Sequence, residues 1–130
     1  MRSALKLLLL ISCIGLAGTW AHAQQAIALK SGESAELGSV WWVVNCRSIM
    51  LGLPEVEILE GPPGLTLSIR ESMVLPRRLN CAAQVPGGIL VATAKDVADP
   101  VQGKLTYRIK YKTKDGDRQT SNTYNVSLFP

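Results

Sequence analysis

The chain has 130 residues, 47% of them hydrophobic, with 14 basic residues against 10 acidic ones and a formal net charge of +4. That length is enough for one compact domain with a single core and leaves no room for a second. Half of that charge lies in the first six residues, and the +2 carried by the rest is too mild to imply nucleic acid as a partner.

The N-terminus accounts for half of that charge. Arg2 and Lys6 precede an apolar run over residues 7–17, followed by Ala21-His22-Ala23. This is the pattern of a secretory signal, residues 1–23, with a small-residue cleavage site. Cutting the 23-residue leader leaves a mature domain of 107 residues, 24–130. Loss of Arg2 and Lys6 takes the basic count from 14 to 12 against 10 acids, a net charge of +2. No later stretch approaches the roughly 20 apolar residues of a membrane span, so no transmembrane segment is expected in the mature chain. The expected location is outside the cytoplasm, in the periplasm or secreted. Leu10-Ile11-Ser12-Cys13 offers an alternative, since it resembles a bacterial lipobox in which Cys13 carries a lipid and anchors the protein to a membrane. Against it, the apolar run continues past Cys13 to the Ala-x-Ala site.

Beyond the leader the chain has the pattern of strands separated by turns. Strands are predicted at 26–30, 39–46, 55–59, 65–70 and 89–95. Breakers stand between them at Gly61-Pro62-Pro63-Gly64, Leu75-Pro76, Pro86-Gly87-Gly88 and Asp99-Pro100. Trp42 shares strand parity with Val40, Val44 and Cys46 and is the expected core residue. Trp41 then lies with Val43 on the opposite face, either under a neighbouring strand or as a contact for a partner or sugar. Glu55 and Glu57 share one strand face about 7 Å apart, within the span of a glycosidase pair. With Val56 and Ile58 pointing inward, a solvent face is the simpler account. Arg77-Arg78 is expected in a loop, as solvated charge or as an anion-contacting pair.

Cys46 and Cys81 are the cysteines left after the leader, an even pair in an oxidising compartment, and are expected to form one disulfide. Their spacing is not the C-x-x-C of a redox motif.

The last 26 residues carry the plainest periodicity. Leu105, Tyr107, Ile109, Tyr111 and Thr113 alternate with Thr106, Arg108, Lys110, Lys112 and Lys114. Asp115-Gly116 supplies a turn, and the chain returns with Thr120, Asn122, Tyr124, Val126 and Leu128 on one face, giving a long antiparallel hairpin. Arg108, Lys110, Lys112 and Lys114 project to one side about 7 Å apart, a row suited to an acidic envelope protein or an anionic polysaccharide. The same row would also keep an outer strand soluble. Asp115 and Asp117 are turn formers rather than a calcium loop. About seven strands with little helix predict an all-β protein, an antiparallel sandwich of two sheets.

Residues 103–109 (Gly103-Lys104-Leu105-Thr106-Tyr107-Arg108-Ile109), the turn Lys114-Asp115-Gly116-Asp117 and the stretch Tyr124-Asn125-Val126-Ser127-Leu128 resemble the final two strands of bacterial immunoglobulin-like domains. Gly61-Pro62-Pro63-Gly64-Leu65-Thr66-Leu67 is similar to a turn and strand of such exported modules. The chain departs from antibody domains in its short Cys46 to Cys81 interval and in having no tyrosine two residues before Cys81. What the resemblance implies is a scaffold for interaction rather than one activity.

Residue inventory narrows the chemistry. The only histidine, His22, leaves with the leader, which removes Ser-His and Cys-His nucleophiles and histidine-held metals from the mature chain. Disulfide-bonded cysteines do not hold zinc, and no glycine-rich phosphate loop precedes a helix, so no metal and no cofactor is expected. The expected function is a small, non-enzymatic, exported interaction module. The alternatives are an inhibitor of an envelope or secreted enzyme presenting the 61–64 loop, and a small carbohydrate-active enzyme using Glu55 and Glu57.

Overall fold

A computed structural model describes residues 25–130. The leader, with Cys13 and His22, lies outside the described residues. Among the described residues the protein is all-β, with nine strands: β1 (Ala26–Lys30), β2 (Ser34–Val40), β3 (Val43–Val44), β4 (Arg47–Ser48), β5 (Glu55–Glu60), β6 (Leu65–Val74), β7 (Val85–Ala94), β8 (Val101–Thr113) and β9 (Gly116–Phe129). One 3₁₀ turn, Arg77–Leu79, is the helical element. The strands form three sheets, ordered β1-β9-β8-β5, β2-β7-β6 and β3-β4. Pairing is antiparallel except that β1 runs parallel to β9.

Alternation explains the long hairpin. Leu105, Tyr107, Ile109, Tyr111 and Thr113 of β8 are all buried, and β9 returns in register with Leu105 opposite Tyr124 and Val101 opposite Leu128. The turn sits one residue earlier than Asp115-Gly116: Lys114 and Asp115 form it, Thr113 pairs with Gly116, and Gly116 has φ +104. A glycine in the left-handed region after a two-residue turn lets the strands resume their twist without a Cβ clash. The Thr113 hydroxyl donates to the Gly116 carbonyl at 2.7 Å and accepts from the Asp115 N–H at 3.1 Å.

The core lies between the two larger sheets. Leu105, Tyr107, Ile109, Val126 and Leu128 meet Val40, Leu65, Leu90, Ala92 and Ala94. The central strand β7 is buried along most of its length, so its apolar run does not alternate with charge. Pro86-Gly87-Gly88, expected as a break, belongs to this strand. β2 joins it only from Gly88 onward, so Pro86, two residues earlier, leaves no gap in that ladder. The strand expected at 39–46 is also absent as a unit. β2 stops at Val40, and the chain makes a small hairpin whose turn residues, Asn45 and Cys46, both have positive φ (52° and 60°). That is the backbone of a tight primed turn. It leaves Val44 and Cys46 outside the parity of Val40 and Trp42.

Cys46 and Cys81 form the expected disulfide, with Cα atoms 5.5 Å apart. It does not bridge the two larger sheets. It ties the β3–β4 turn to the loop after the 3₁₀ turn, where Asn80 closes the turn in the left-handed region, donating its N–H to the Arg77 carbonyl.

Candidate functional site

Two open clefts border the β8–β9 hairpin. The larger, about 780 Å³, lies where the sheets diverge, between the edge strand β2 with the segment after it and the first half of β9. Five aromatic rings line it, those of Trp41, Trp42, Tyr107, Tyr111 and Tyr124, with Thr120, Ser121 and Asn122 on the β9 wall. Its lining holds one cation, Arg78, and no carboxylate.

Along this cleft β9 extends past the described part of β1. Thr120 and Asn122 share the core-facing side of β9 with Tyr124 and Val126, as the period requires, yet both are exposed. β1 begins its pairing at Asn125, so residues 116–124 of β9 have β8 on one side and no strand on the other among the described residues. The tyrosines form the floor. Tyr107 and Tyr124 rings stack with centroids 6.0 Å apart, and the Tyr124 hydroxyl donates to the Leu37 carbonyl at 3.3 Å. Burial pushes the Tyr107 hydroxyl up to about 12, with the Tyr124 hydroxyl adding to the rise and a hydrogen bond to Asn122 opposing it. Tyr111 is raised by burial as well, opposed by its hydrogen bond to Thr120 and by Arg78.

An alkaline limb of stability follows from Tyr107. Unfolded, its hydroxyl ionises near 10; folded, it stays neutral to about 12. The stabilisation is complete below pH 10 and is lost as pH rises from 10 to about 12, amounting to about 2–3 kcal/mol. Denaturant midpoints recorded from pH 9 to 12 should fall less steeply for Tyr107→Phe than for the parent. Parallel curves would show that Tyr107 does not carry the effect.

Trp41 and Trp42 stand at the cleft's other wall, both half-buried. Trp42 packs against the core and meets the Tyr111 ring at 5.1 Å. The Trp41 face carries the Arg78 guanidinium, 5.2 Å from its centroid. Stacking on an indole restricts the rotamers of the guanidinium before binding and leaves its N–H groups available to an anion.

The basic row has acidic neighbours in register. Arg108 and Lys110 both reach the Glu57 carboxylate, at 3.1 and 3.3 Å. Glu55 pairs in register with Lys110 and Asp117 with Lys112, while Asp115 adjoins Lys114. The row therefore shares its face with Glu55, Glu57 and Asp117, a mixed surface rather than a cationic stripe. Glu57, held by two cations on the outer face, lies in neither of these clefts.

The second cleft, about 550 Å³, is lined by Leu51, Leu53, Glu55, Lys110, Lys112 and Arg118, among others. It arises because Met50 bridges to Thr113 while Glu55 pairs with Lys110, so residues 51–54 bulge over two residues of β8 and expose Leu51 (66%) and Leu53. The 61–64 loop is tied at its end, where the Lys95 N–H donates to the Gly64 carbonyl at 2.8 Å; Pro62 is half-buried, and Gly61 and Pro63 are exposed.

Sequence reasoning singled out Trp41 and the Arg77-Arg78 pair separately; the fold brings Trp41 and Arg78 into contact. It did not identify Tyr107, Tyr111, Tyr124, Thr120 and Asn122 as cleft residues, having placed the first two on the inward face of one strand and the other three together on one face of the next. The available signal was the polar pair Thr120 and Asn122 at inward positions of an otherwise apolar register. Among the described residues no group of three or more His, Cys, Asp or Glu side chains could hold a metal ion, and no helix is long and apolar enough to cross a membrane. No protein-family model and no curated protein matches this chain.

Proposed function

We propose that this chain is a small, exported, non-enzymatic interaction module with an immunoglobulin-like sandwich, and that it takes an acidic partner protein into the cleft between β2 and β9. The strand order β1-β9-β8-β5 opposite β2-β7-β6 supports the sandwich, with seven strands in the two larger sheets and β3–β4 as an added hairpin. The signal-like leader and the disulfide support export. The observation that carries the site is the lining of the larger cleft: aromatic walls, amide and hydroxyl groups, one cation and no carboxylate. A desolvating aromatic concavity with a single pre-oriented guanidinium fits a carboxylate-bearing segment. The acidic neighbours of Arg108, Lys110, Lys112 and Lys114 weaken the competing reading, in which the β8 row itself holds the partner.

A crosslinking pull-down from the envelope fraction separates the two. Tagged mature protein should retain a discrete partner that Arg78→Glu or Trp41→Ala loses and that a Lys110→Glu, Lys112→Glu variant keeps. Retention by Arg78→Glu and Trp41→Ala with loss in the lysine variant would transfer the site to β8.

A further inference from the structure

We infer that the partner enters as an extended polypeptide strand, pairing through its backbone with the uncovered edge of β9 and placing alternate side chains in the aromatic cleft. This rests on the cleft being the binding site. Residues 117–123 of β9 are extended, hydrogen-bonded to β8 on one side, and without a strand neighbour on the other among the described residues. The outward backbone groups are those of Asp117, Gln119, Ser121 and Thr123; the Arg118 side chain already donates to the Asp117 carbonyl at 3.0 Å and the Thr123 N–H to Asn122 Oδ1 at 2.9 Å, which leaves Gln119 and Ser121 at the centre of the edge as the template that an added strand uses.

The two edges bordering the cleft are treated differently by the sequence. β2 is blunted: its pairing with β7 shifts register between Glu36 and Gly38, a bulge that bends it away from a flat edge. β9 has no bulge over residues 117–123 and no proline there, and among those residues only Asp117 and Arg118 are charged. Its polar side chains keep such an edge from pairing indiscriminately, while the backbone remains available to a strand whose own side chains match the cleft.

Occupancy by this chain's own N-terminus is limited by length. Gln25 already accepts the Asn125 N–H from its carbonyl at 2.8 Å and the Asn122 side-chain amide on its Oε1 at 3.1 Å. A chain cut after Ala23 has one residue, Gln24, left to run further along β9, against seven residues of edge. With the leader removed at that site, the occupant is another chain. Its inward positions meet Trp41, Trp42 and the tyrosine floor, and with Arg78 as the one cation of the lining it carries an acidic residue among them.

The test uses the mature protein and a pool of synthetic nonapeptides in which Asp or Glu alternates with Val, Ile, Phe or Tyr. Retained peptides are resynthesised with alternate backbone nitrogens methylated, and an oligogalacturonate serves as an anionic probe without peptide groups. The expected result is peptide binding that N-methylation weakens about a hundredfold, as loss of two or three backbone hydrogen bonds requires. Amide exchange of residues 117–123 should slow on binding, while oligogalacturonate is ignored. Equal binding by methylated peptides, or preference for oligogalacturonate, overturns the strand inference. So does a mass that doubles with concentration in the absence of peptide while exchange at 117–123 is already slow, since a second copy would then hold the edge. Failure of every peptide, with the envelope partner still lost in Arg78→Glu, sinks the strand and leaves the cleft. Retention of that partner by Arg78→Glu sinks the cleft itself.

Discussion

Gly87→Val should abolish folding, and Gly87→Ala should cost about 3 kcal/mol or more, a drop of roughly 10–20 °C in the melting temperature. A Cβ built at Gly87 would stand 2.5 Å from the Val40 carbonyl oxygen and 2.6 Å from Val74 Cγ2. The first of these is backbone and cannot rotate aside. Here β7 passes between the end of β2 and the end of β6, so relief requires one of the two flanking strands to move. Gly88 is nearly as confined, with Ile69 Cγ2 at 2.6 Å and the Arg70 carbonyl at 3.0 Å. Gly103→Ala is the control. Its Cβ would meet only Pro62 atoms at 3.9 Å, so thermal melts should show it unchanged or slightly stabilised, by about 0.5 kcal/mol. An unaltered melt for Gly87→Ala would mean that the strands are not packed as closely as described.

Removing the disulfide should cost a similar amount by a different route. The Cys46–Cys81 link spans 35 residues, and the chain-entropy account assigns such a closure about 4 kcal/mol. Cys46→Ser with Cys81→Ser, or reduction under native conditions, should lower the melting temperature by roughly 15–25 °C. The loss should also reach the cleft. Arg78 lies three residues before Cys81, in a 3₁₀ turn with no buried residue of its own, and the disulfide holds the loop that follows that turn to the β3–β4 hairpin. At temperatures where the reduced protein is still folded, its affinity for the partner should fall as well. Unchanged affinity there would show that Pro76 and the turn's own hydrogen bonds position Arg78 without the disulfide.

Where local pattern and tertiary packing agree, the sequence was transparent. The period-2 alternation of residues 105–113 fixed the buried face of β8 correctly, and the 26–30 strand has the bounds expected of it. The disulfide pair followed from counting cysteines. Where the determinant is another strand, the sequence was opaque. Pro86-Gly87-Gly88 has the composition of a turn, and nothing local shows that the glycines are there because two neighbouring strands press on β7. Likewise Trp41 to Cys46 has strand composition, but Asn45 and Cys46 take left-handed backbone angles to make a hairpin that local propensity does not favour for cysteine. The site suffered the same limitation. The row from Arg108 to Lys114 was visible as a pattern, whereas its opposition by Glu55 and Glu57 depends on β5 pairing with β8 in one particular register. The cleft depends on where the segment after β2 and the turn carrying Arg78 settle against β9, an arrangement that no single segment encodes.

The parallel pairing of β1 with β9 also governs the order in which the molecule can assemble. β1 is the first strand of the described chain and β9 the last, and their ladder joins Ala26 to Asn125 and Lys30 to Phe129. Closing a contact across nearly the whole chain is entropically late and slows folding relative to a protein built from neighbouring hairpins. For a chain that emerges N-terminus first, from a ribosome or a translocation channel, β1 waits unpaired until residues 125–129 are out. A chain halted before Asn125 would hold β2, β6 and β7 ready to pair, yet neither close the first sheet nor bury Leu29 against Leu128. Closure of the first sheet is thus tied to residues 125–129, the short stretch of β9 that meets β1.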